Sequence, residues 1–213
     1  MGIRHLAEEA NVELAECNTR AIQFALAPRI NAAGRLGDAK RAVKLMLAED
    51  APEATTRARE LEKVNTERRA LDKKVLDEAE RRATLLVEAG RSSIVLYDPD
   101  WHLGVLGIVA ARLVDRLQRP AGLMGIANGV AKGSARSIEG VNVYKALAAC
   151  SELLNTFGGH DYAAGLAIDP ARVPEFELAF EAAVTSASSA TDGKRKLEFD
   201  AELPVSQIDA RFW

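Results

Sequence analysis

The spacing of apolar positions changes three times along the chain. Up to about Asp50 they come in short clusters: Ile22, Phe24, Ala25 and Leu26 run into Pro28, and Val43, Leu45, Met46 and Leu47 follow Asp38. These clusters predict short helices. The first is expected to stop at Pro28, because a proline disfavours helical geometry in the residue before it. The second is expected to start at Asp38 as N-cap. Between them, "APRINAAGRLGDA" reads as a Gly-broken loop carrying arginines.

From Asp50 to Gly90 the period settles to threes and fours. Asp50 and Glu53 stand at capping-box spacing, Pro52 falls in the first turn, and Gly90 supplies a C-terminal stop. Leu61, Val64, Leu71, Val75 and Ala79 make a narrow seam, interrupted by Arg68, within dense mixed charge. The stretch predicts one helix of roughly 55 Å at 1.5 Å per residue. A coiled-coil arm is one reading. The broken seam favours a connector between two domains, the second with a core of its own.

After Gly90 short β-rich runs alternate with helical ones. "SIVLY", "AGLMGIA", "VAKGSARS" and "YAAGLAI" read as strands, with Asn128-Gly129 as a hairpin turn. "GVLGIVAARLVDRLQ", "NVYKALAACSELL" and "RVPEFELAFEAAVTSA" read as helices. The alternation predicts a small mixed-sheet α/β domain. "TSASSATDGK" is a polar linker, and "LEFDAELPVSQID" reads as a new β segment too short to bury a core alone.

Composition adds bounds. The 213 residues are 48% hydrophobic but only 5% aromatic, with a net charge of -3. An Ala/Leu/Val/Ile core follows. A general basic coat for nucleic acid is excluded, so any such binding needs a local site. No apolar run is long enough to span a bilayer. With no signal-peptide pattern and only Cys17 and Cys150, the expected location is the cytoplasm.

Four stretches carry candidate chemistry. In "PRINAAGR", Arg29, Asn31 and Arg35 suit a planar grip on phosphate, or else pair with acids. In "DPDWHLG", Trp101 and His102 precede a helix start, where free amides attract anions. Asp98 and Asp100 there form a D-x-D, although Asp-Pro-Asp is ordinary turn chemistry and metal binding is disfavoured. In "KGSARS", Ser134, Arg136 and Ser137 can each donate to phosphate oxygens, or else face solvent on an edge strand. In "FGGHDYAAGL", Gly158 and Gly159 allow close approach to the main chain, with His160 as a ring donor. Gly158–His160 and Ser134–Ser137 are expected to meet on one face, with Gly159 lining the cleft.

Taken in order, "PRINAAGR", the long charged helix, "WHLGVLGIVAARL", "GSARS" and "GGHDYAAGL" resemble the RecJ family of single-stranded-DNA exonucleases, in the DHH phosphoesterase superfamily. The resemblance covers nearly the whole chain. "WHLGVLGIVAARL" and "GGHDYAAGL" look like its DHHA1 domain, which follows a catalytic DHH domain across a connecting helix and holds the DNA 5′ end and backbone. It implies four parts: 1–50 as a C-terminal remnant of the DHH domain, 51–90 as the connecting helix, 91–190 as the DHHA1-like domain, and 191–213 as linker and start of a truncated OB-fold. It also implies Mn2+ or Mg2+, bound in the family by N-terminal aspartates and an Asp-His-His triplet. No such triplet occurs here. The chain is therefore expected to be a fragment or truncated frame with no metal of its own and no catalytic residue, inactive alone. The implied partners are single-stranded DNA, single-stranded-DNA-binding protein and a RecQ-type helicase, in DNA repair and recombination. A stand-alone nucleic-acid-binding module, or another DHH phosphodiesterase acting on short oligonucleotides or cyclic dinucleotides, remains open.

Overall fold

A computed structural model describes residues 1–188 and 199–208. Helix α1 (Gly2–Glu9) comes first. The chain from Thr19 to Arg35 then forms one helical rod: α2 (Thr19–Ala21), a π turn (Ile22–Leu26) and α3 (Ala27–Arg35). Asn18 caps the rod, its Oδ1 accepting from the Ala21 amide at 3.0 Å. Pro28 therefore does not stop a helix, and "PRINAAGR" is helical rather than a loop. Pro28 lies in the first turn of α3, directly after the π turn. The hydrogen-bond register changes there, so a missing N–H and a bulky ring cost least. Asp38 Oδ1 accepts from the Lys40 amide at 2.8 Å and opens α4 (Lys40–Met46). Of that apolar cluster only Leu45 is buried; Val43, Met46 and Leu47 are exposed.

Helix α5 (Ala51–Glu88) runs unbroken for 38 residues, roughly 57 Å at 1.5 Å per residue. Asp50 caps it, Oδ1 accepting from the Glu53 amide at 2.8 Å. Gly90, at φ +83°, turns the chain away. The seam divides between two cores. Ala58 and Leu61 pack with Leu6, Leu26, Ala33 and Leu45 of the N-terminal helices. Val75, Leu76, Ala79 and Ala83 pack with helix α6 (Leu103–Leu117) and with Ile94, Leu96 and Leu123 of the sheet. The expectation of a separate core after Gly90 is thus corrected: the last third of α5 is part of that core.

The sheet has five strands, β1 (Ile94–Tyr97), β2 (Ala121–Ala127), β3 (Val130–Arg136), β4 (Leu154–His160) and β5 (Ala163–Ile168), in the order β1-β2-β3-β5-β4. β1 and β2 are parallel across α6, and the other pairs are antiparallel. Asn128 and Gly129 both take positive φ, as a tight β2–β3 hairpin requires. β4 is an element the sequence pattern did not announce. Its tip, Gly158-Gly159-His160, is strand rather than loop. On the face opposite α6, helices α7 (Val143–Ala148) and α8 (Val173–Ser188) bury Leu147, Phe176, Phe180 and Val184 against Met124, Ala135, Leu166 and Ile168. The Glu181 carboxylate fastens α8 to the approach to β1, accepting from the Ser92 and Ser93 amides at 2.7 and 2.9 Å. Part of the linker, and both ends of the stretch read as a β segment, lie outside the described residues. Residues 199–208 contain one short 3-10 turn, Val205–Gln207, and no strand.

Because Leu76 is buried between α5 and the sheet domain, Leu76→Ala should destabilise that domain by about 3 kcal/mol. Amide hydrogen exchange should quicken in β1 and β2. Unchanged protection there would mean that the helix contributes nothing to the domain's core.

Candidate functional site

Strand register decides which candidates can meet. Arg136 pairs with Ala163 and Ala163 with His160; Ser134 pairs with Gly165 and Gly165 with Gly158. Paired residues share a sheet face, as do residues two apart on one strand. Ser134, Arg136, Gly158 and His160 therefore share one face, with β5 between the two sets and about 10 Å across two strand spacings. It is the face that α6 covers over β2 and β3. Farther on it is open: Gly158, His160 and Gly165 are exposed, and a Cβ placed at Gly158 would meet nothing within 4 Å. The result is a flat strip of small residues with Arg136 on one side and His160 on the other. His160 Nδ1 faces the Tyr162 amide at 3.4 Å.

Arg136 is held in place. Its Nη1 donates to Ser134 Oγ at 2.6 Å and to the Ala135 carbonyl at 2.8 Å. Burial pushes its guanidinium below the ordinary arginine value, and nearby Arg35 pushes it further. Arg35 ends α3, and its Nη1 donates to the Gly104 carbonyl at 3.3 Å. The main chains close there too: a Cβ on Gly104 would lie 2.0 Å from the Arg35 carbonyl oxygen. Exposed Asn31 stands one turn before Arg35, on the same side of α3.

The rest of the cationic cluster comes from residues that sequence reasoning passed over. Arg68, the interruption in the seam of α5, donates through Nη2 to Asn65 Oδ1 at 2.6 Å. Its Nη1 lies 3.6 Å from Asp72 Oδ2, which also pairs with Arg112 Nη1 of α6 at 3.0 Å. Burial pushes the Arg68 guanidinium down; Asp72 offsets part of this, and Arg35, Arg112 and Arg69 add to it. Asp72 is 3% exposed, and its Oδ1 accepts no hydrogen bond among the described residues. One buried carboxylate thus stands among several mutually repelling arginines, an arrangement that favours an added anion. The signal was available: an Arg and an Asp four apart on an otherwise apolar stripe.

Other expected contacts are engaged elsewhere. Arg29 ion-pairs with Glu62 of α5 and donates to the Ala25 carbonyl at 2.7 Å, with its side chain 13% exposed. The acid-pairing alternative holds for it. Trp101 is 4% exposed; its indole N–H donates to Glu78 at 3.2 Å, and Arg82 lies over its ring. It is a core residue, not a phosphate contact. Ser137 is buried, its hydroxyl donating to the Val141 carbonyl at 2.6 Å. Gly159 is required by packing: its φ is +152°, and a Cβ there would lie 2.3 Å from the Ala163 carbonyl oxygen. By strand alternation it faces the other side of the sheet from Gly158 and His160. His102 caps α6, Nδ1 accepting from the Gly104 amide at 3.1 Å, which leaves its ring hydrogen on exposed Nε2. Asp98 accepts from the Asp100 amide at 3.0 Å and pairs with Arg82, as a turn residue would. No group of three or more His, Cys, Asp or Glu placed to hold a metal ion occurs among the described residues. No described helix is long and apolar enough to cross a membrane.

The chain is similar to known proteins in sequence and in fold. The DHHA1 domain family matches residues 90–186. The single-stranded-DNA-specific exonuclease RecJ of Bacillus subtilis is 40% identical over 179 residues, covering 82% of this chain and 22% of that protein. RecJ of Thermus thermophilus is 40% identical over 161 residues, covering 76% and 23%. RecJ of Escherichia coli is 36% identical over 195 residues, covering 86% and 33%. The chain thus spans a third or less of the length of these curated relatives. The crystal structure of Thermus thermophilus RecJ with Mg2+ superposes with a TM-score of 0.78 at 37% identity, over 87% of this chain and 28% of that one. A structure of exonuclease RecJ bound to manganese gives 0.76 at 38%, over 86% and 45%.

Asp72→Asn should lower stability by about 2 kcal/mol, less than a fully enclosed pair would cost because Arg112 is half-exposed. Sulfate should raise the unfolding temperature of the variant more than that of the parent, since the freed arginines need a counter-ion. An equal sulfate response in a thermal titration would show that Asp72 does not hold the cluster's charge in check.

Proposed function

The chain carries a DHHA1 domain and is homologous to the C-terminal part of the RecJ exonucleases, and from that premise we propose that it is the strand-gripping half of a 5′-to-3′ single-stranded-DNA exonuclease. The observation that carries this reading is the pair Ser134 and Arg136, fixed on a sheet face that is open beside them, with Arg35 close enough for the two guanidinium charges to repel.

In this reading the guanidinium of Arg136, backed by Arg35 and the Ser134 hydroxyl, takes the strand's terminal phosphate. The sugar-phosphate chain then lies along the strip Ala163, Gly165 and Gly158. His160 and the Nε2–H of His102 are further donors, and Asn31 stands beside Arg35. Glycines along the strip let the strand lie close to the main chain. None of these groups reads a base edge, so recognition is independent of sequence. The domains follow the same division: 1–50 completes a DHH domain, 51–90 connects, 91–190 grips, and 191–213 leads into an OB-fold. Hydrolysis needs carboxylates that hold two ions and generate hydroxide. We assign these to the catalytic domain of a longer enzyme, with Mn2+ or Mg2+ as in the solved RecJ structures. Such an enzyme would work in the cytoplasm in DNA repair and recombination, beside single-stranded-DNA-binding protein and a RecQ-type helicase.

Arg136→Ala should weaken binding to every single-stranded sequence alike, by about 1–3 kcal/mol for a charge-assisted contact. Parent affinity should fall steeply with salt. Fluorescent oligonucleotides titrated at two salt concentrations, with circular dichroism as folding control, test this. Parent-like binding by the folded variant would remove the phosphate role.

The same chain, incubated with 5′-phosphorylated single strands and Mn2+ or Mg2+, should release no nucleotides. Metal-dependent release that survives repurification would overturn the assignment of catalysis to another domain. Binding without cleavage, together with no catalytic frame upstream in the genome, would favour the stand-alone binding module.

A further inference from the structure

Helix α6 holds a glycine at 107, inside a 15-residue helix where alanine would be the better helix former. Other tightly packed glycines have a main-chain reason. A Cβ on Gly104 would strike the Arg35 carbonyl oxygen at 2.0 Å, on Gly125 that of Trp101 at 2.3 Å, on Gly133 that of Leu123 at 2.2 Å. Gly107 differs. Its Cβ would lie 2.8 Å from Arg136 Nη2, 3.1 Å from Ser134 Oγ and 3.6 Å from Arg136 Cζ, all side-chain atoms. The space its side chain would fill is occupied by the end of Arg136 and its partner hydroxyl.

We infer that Gly107 is a positioning residue for the anion grip: the bare spot on α6 is the slot in which the Arg136 guanidinium lies. Arg136 Nη1 is turned to Ser134 Oγ and the Ala135 carbonyl, and Nη2 lies along the helix at Gly107. The three nearest atoms that a methyl group there would meet beyond its own helix are all side-chain atoms of Arg136 and Ser134. The flexible end of Arg136 has to give way, while α6 and the sheet keep their places. The fold tolerates alanine; the grip does not. The binding part of this inference rests on the phosphate role proposed for Arg136; the positioning part does not.

The test compares the whole parent chain with Gly107→Ala and Arg136→Ala. Positioning is read without DNA, from the side-chain N–H resonances of Arg136 and their exchange with water. Binding is read with a short 5′-phosphorylated oligothymidylate and its 5′-hydroxyl counterpart. For Gly107→Ala we expect an unfolding temperature equal to or above the parent's, shifted and faster-exchanging Arg136 guanidinium signals, and about tenfold weaker binding of the phosphorylated strand. A lowered unfolding temperature would overturn the inference, because the glycine would then serve the fold. Parent-like guanidinium signals would overturn it directly. Parent-like binding by Gly107→Ala, where Arg136→Ala binds weakly, would sink its functional part and leave the phosphate role standing. If Arg136→Ala also binds like the parent, or the parent does not bind, the phosphate role fails and the guanidinium signals alone decide the positioning role.

Discussion

One helix belongs to two cores, and the rest of the arrangement depends on that. The first third of α5 completes the packing of the N-terminal helices, and its last third completes the packing of α6 on the sheet. Neither end can turn about the helix axis without exposing buried alanine and leucine. A continuous helix is stiff over such a length, so the two cores are held at a set distance and rotation. The closure of Arg35 on Gly104 depends on this. It brings a residue from the start of the chain to a site made mostly by its second half.

Between the two apolar portions lie about two turns of α5 whose inward side chains are polar: buried Asn65 and Asp72, with half-buried Arg68 between them. Apolar side chains there would have joined the cores into one. Instead the stretch carries cations toward Arg35 and Arg112, with a single carboxylate to moderate them. Such a cluster is a poor device for stability, since each guanidinium loses hydration and gains incomplete pairing. Its physical merit is the unmet demand for negative charge. A chain with a net charge of -3 repels nucleic acid at long range, so a local concentration of arginine is what can hold a phosphate at close range.

Much of this was legible in the sequence, and the failures share a cause. Caps, the long helix, the hairpin at Asn128-Gly129 and the α/β alternation follow from local chemistry, and each was readable. Pro28 misled because a π turn changes what a proline removes, and a π turn has no residue signature. β4 was missed because "LNTFGGH" has a single β-branched residue, two glycines and no alternation; it is a strand because β5 offers it a partner. At the candidate site, Ser134 and Arg136 stood out by composition. Trp101, Ser137, Arg29 and Gly159 did too, but Glu78, Val141, Glu62 and the β5 main chain claim them. Glu78 and Glu62 are distant in sequence, and Val141 and β5 reach their partners only through turns of the folded chain, so local reading could not decide whether a donor was free.

The same limit explains why the glycines were half understood. Composition says that glycine permits close approach, but not what approaches. At Gly104 it is a carbonyl of α3, at Gly133 and Gly159 a neighbouring strand, at Gly107 the end of an arginine, and at Gly158 nothing in this chain. The first three are needed to assemble the fold. Gly107 concerns the grip, and Gly158 faces the open strip. A fold whose core is mainly Ala, Leu and Val has few bulky groups with which to shape a site, so it shapes one by leaving side chains out. The bare helix face sets where the guanidinium lies, and the bare strands beside it leave a flat surface on which a sugar-phosphate backbone can come within contact of the sheet.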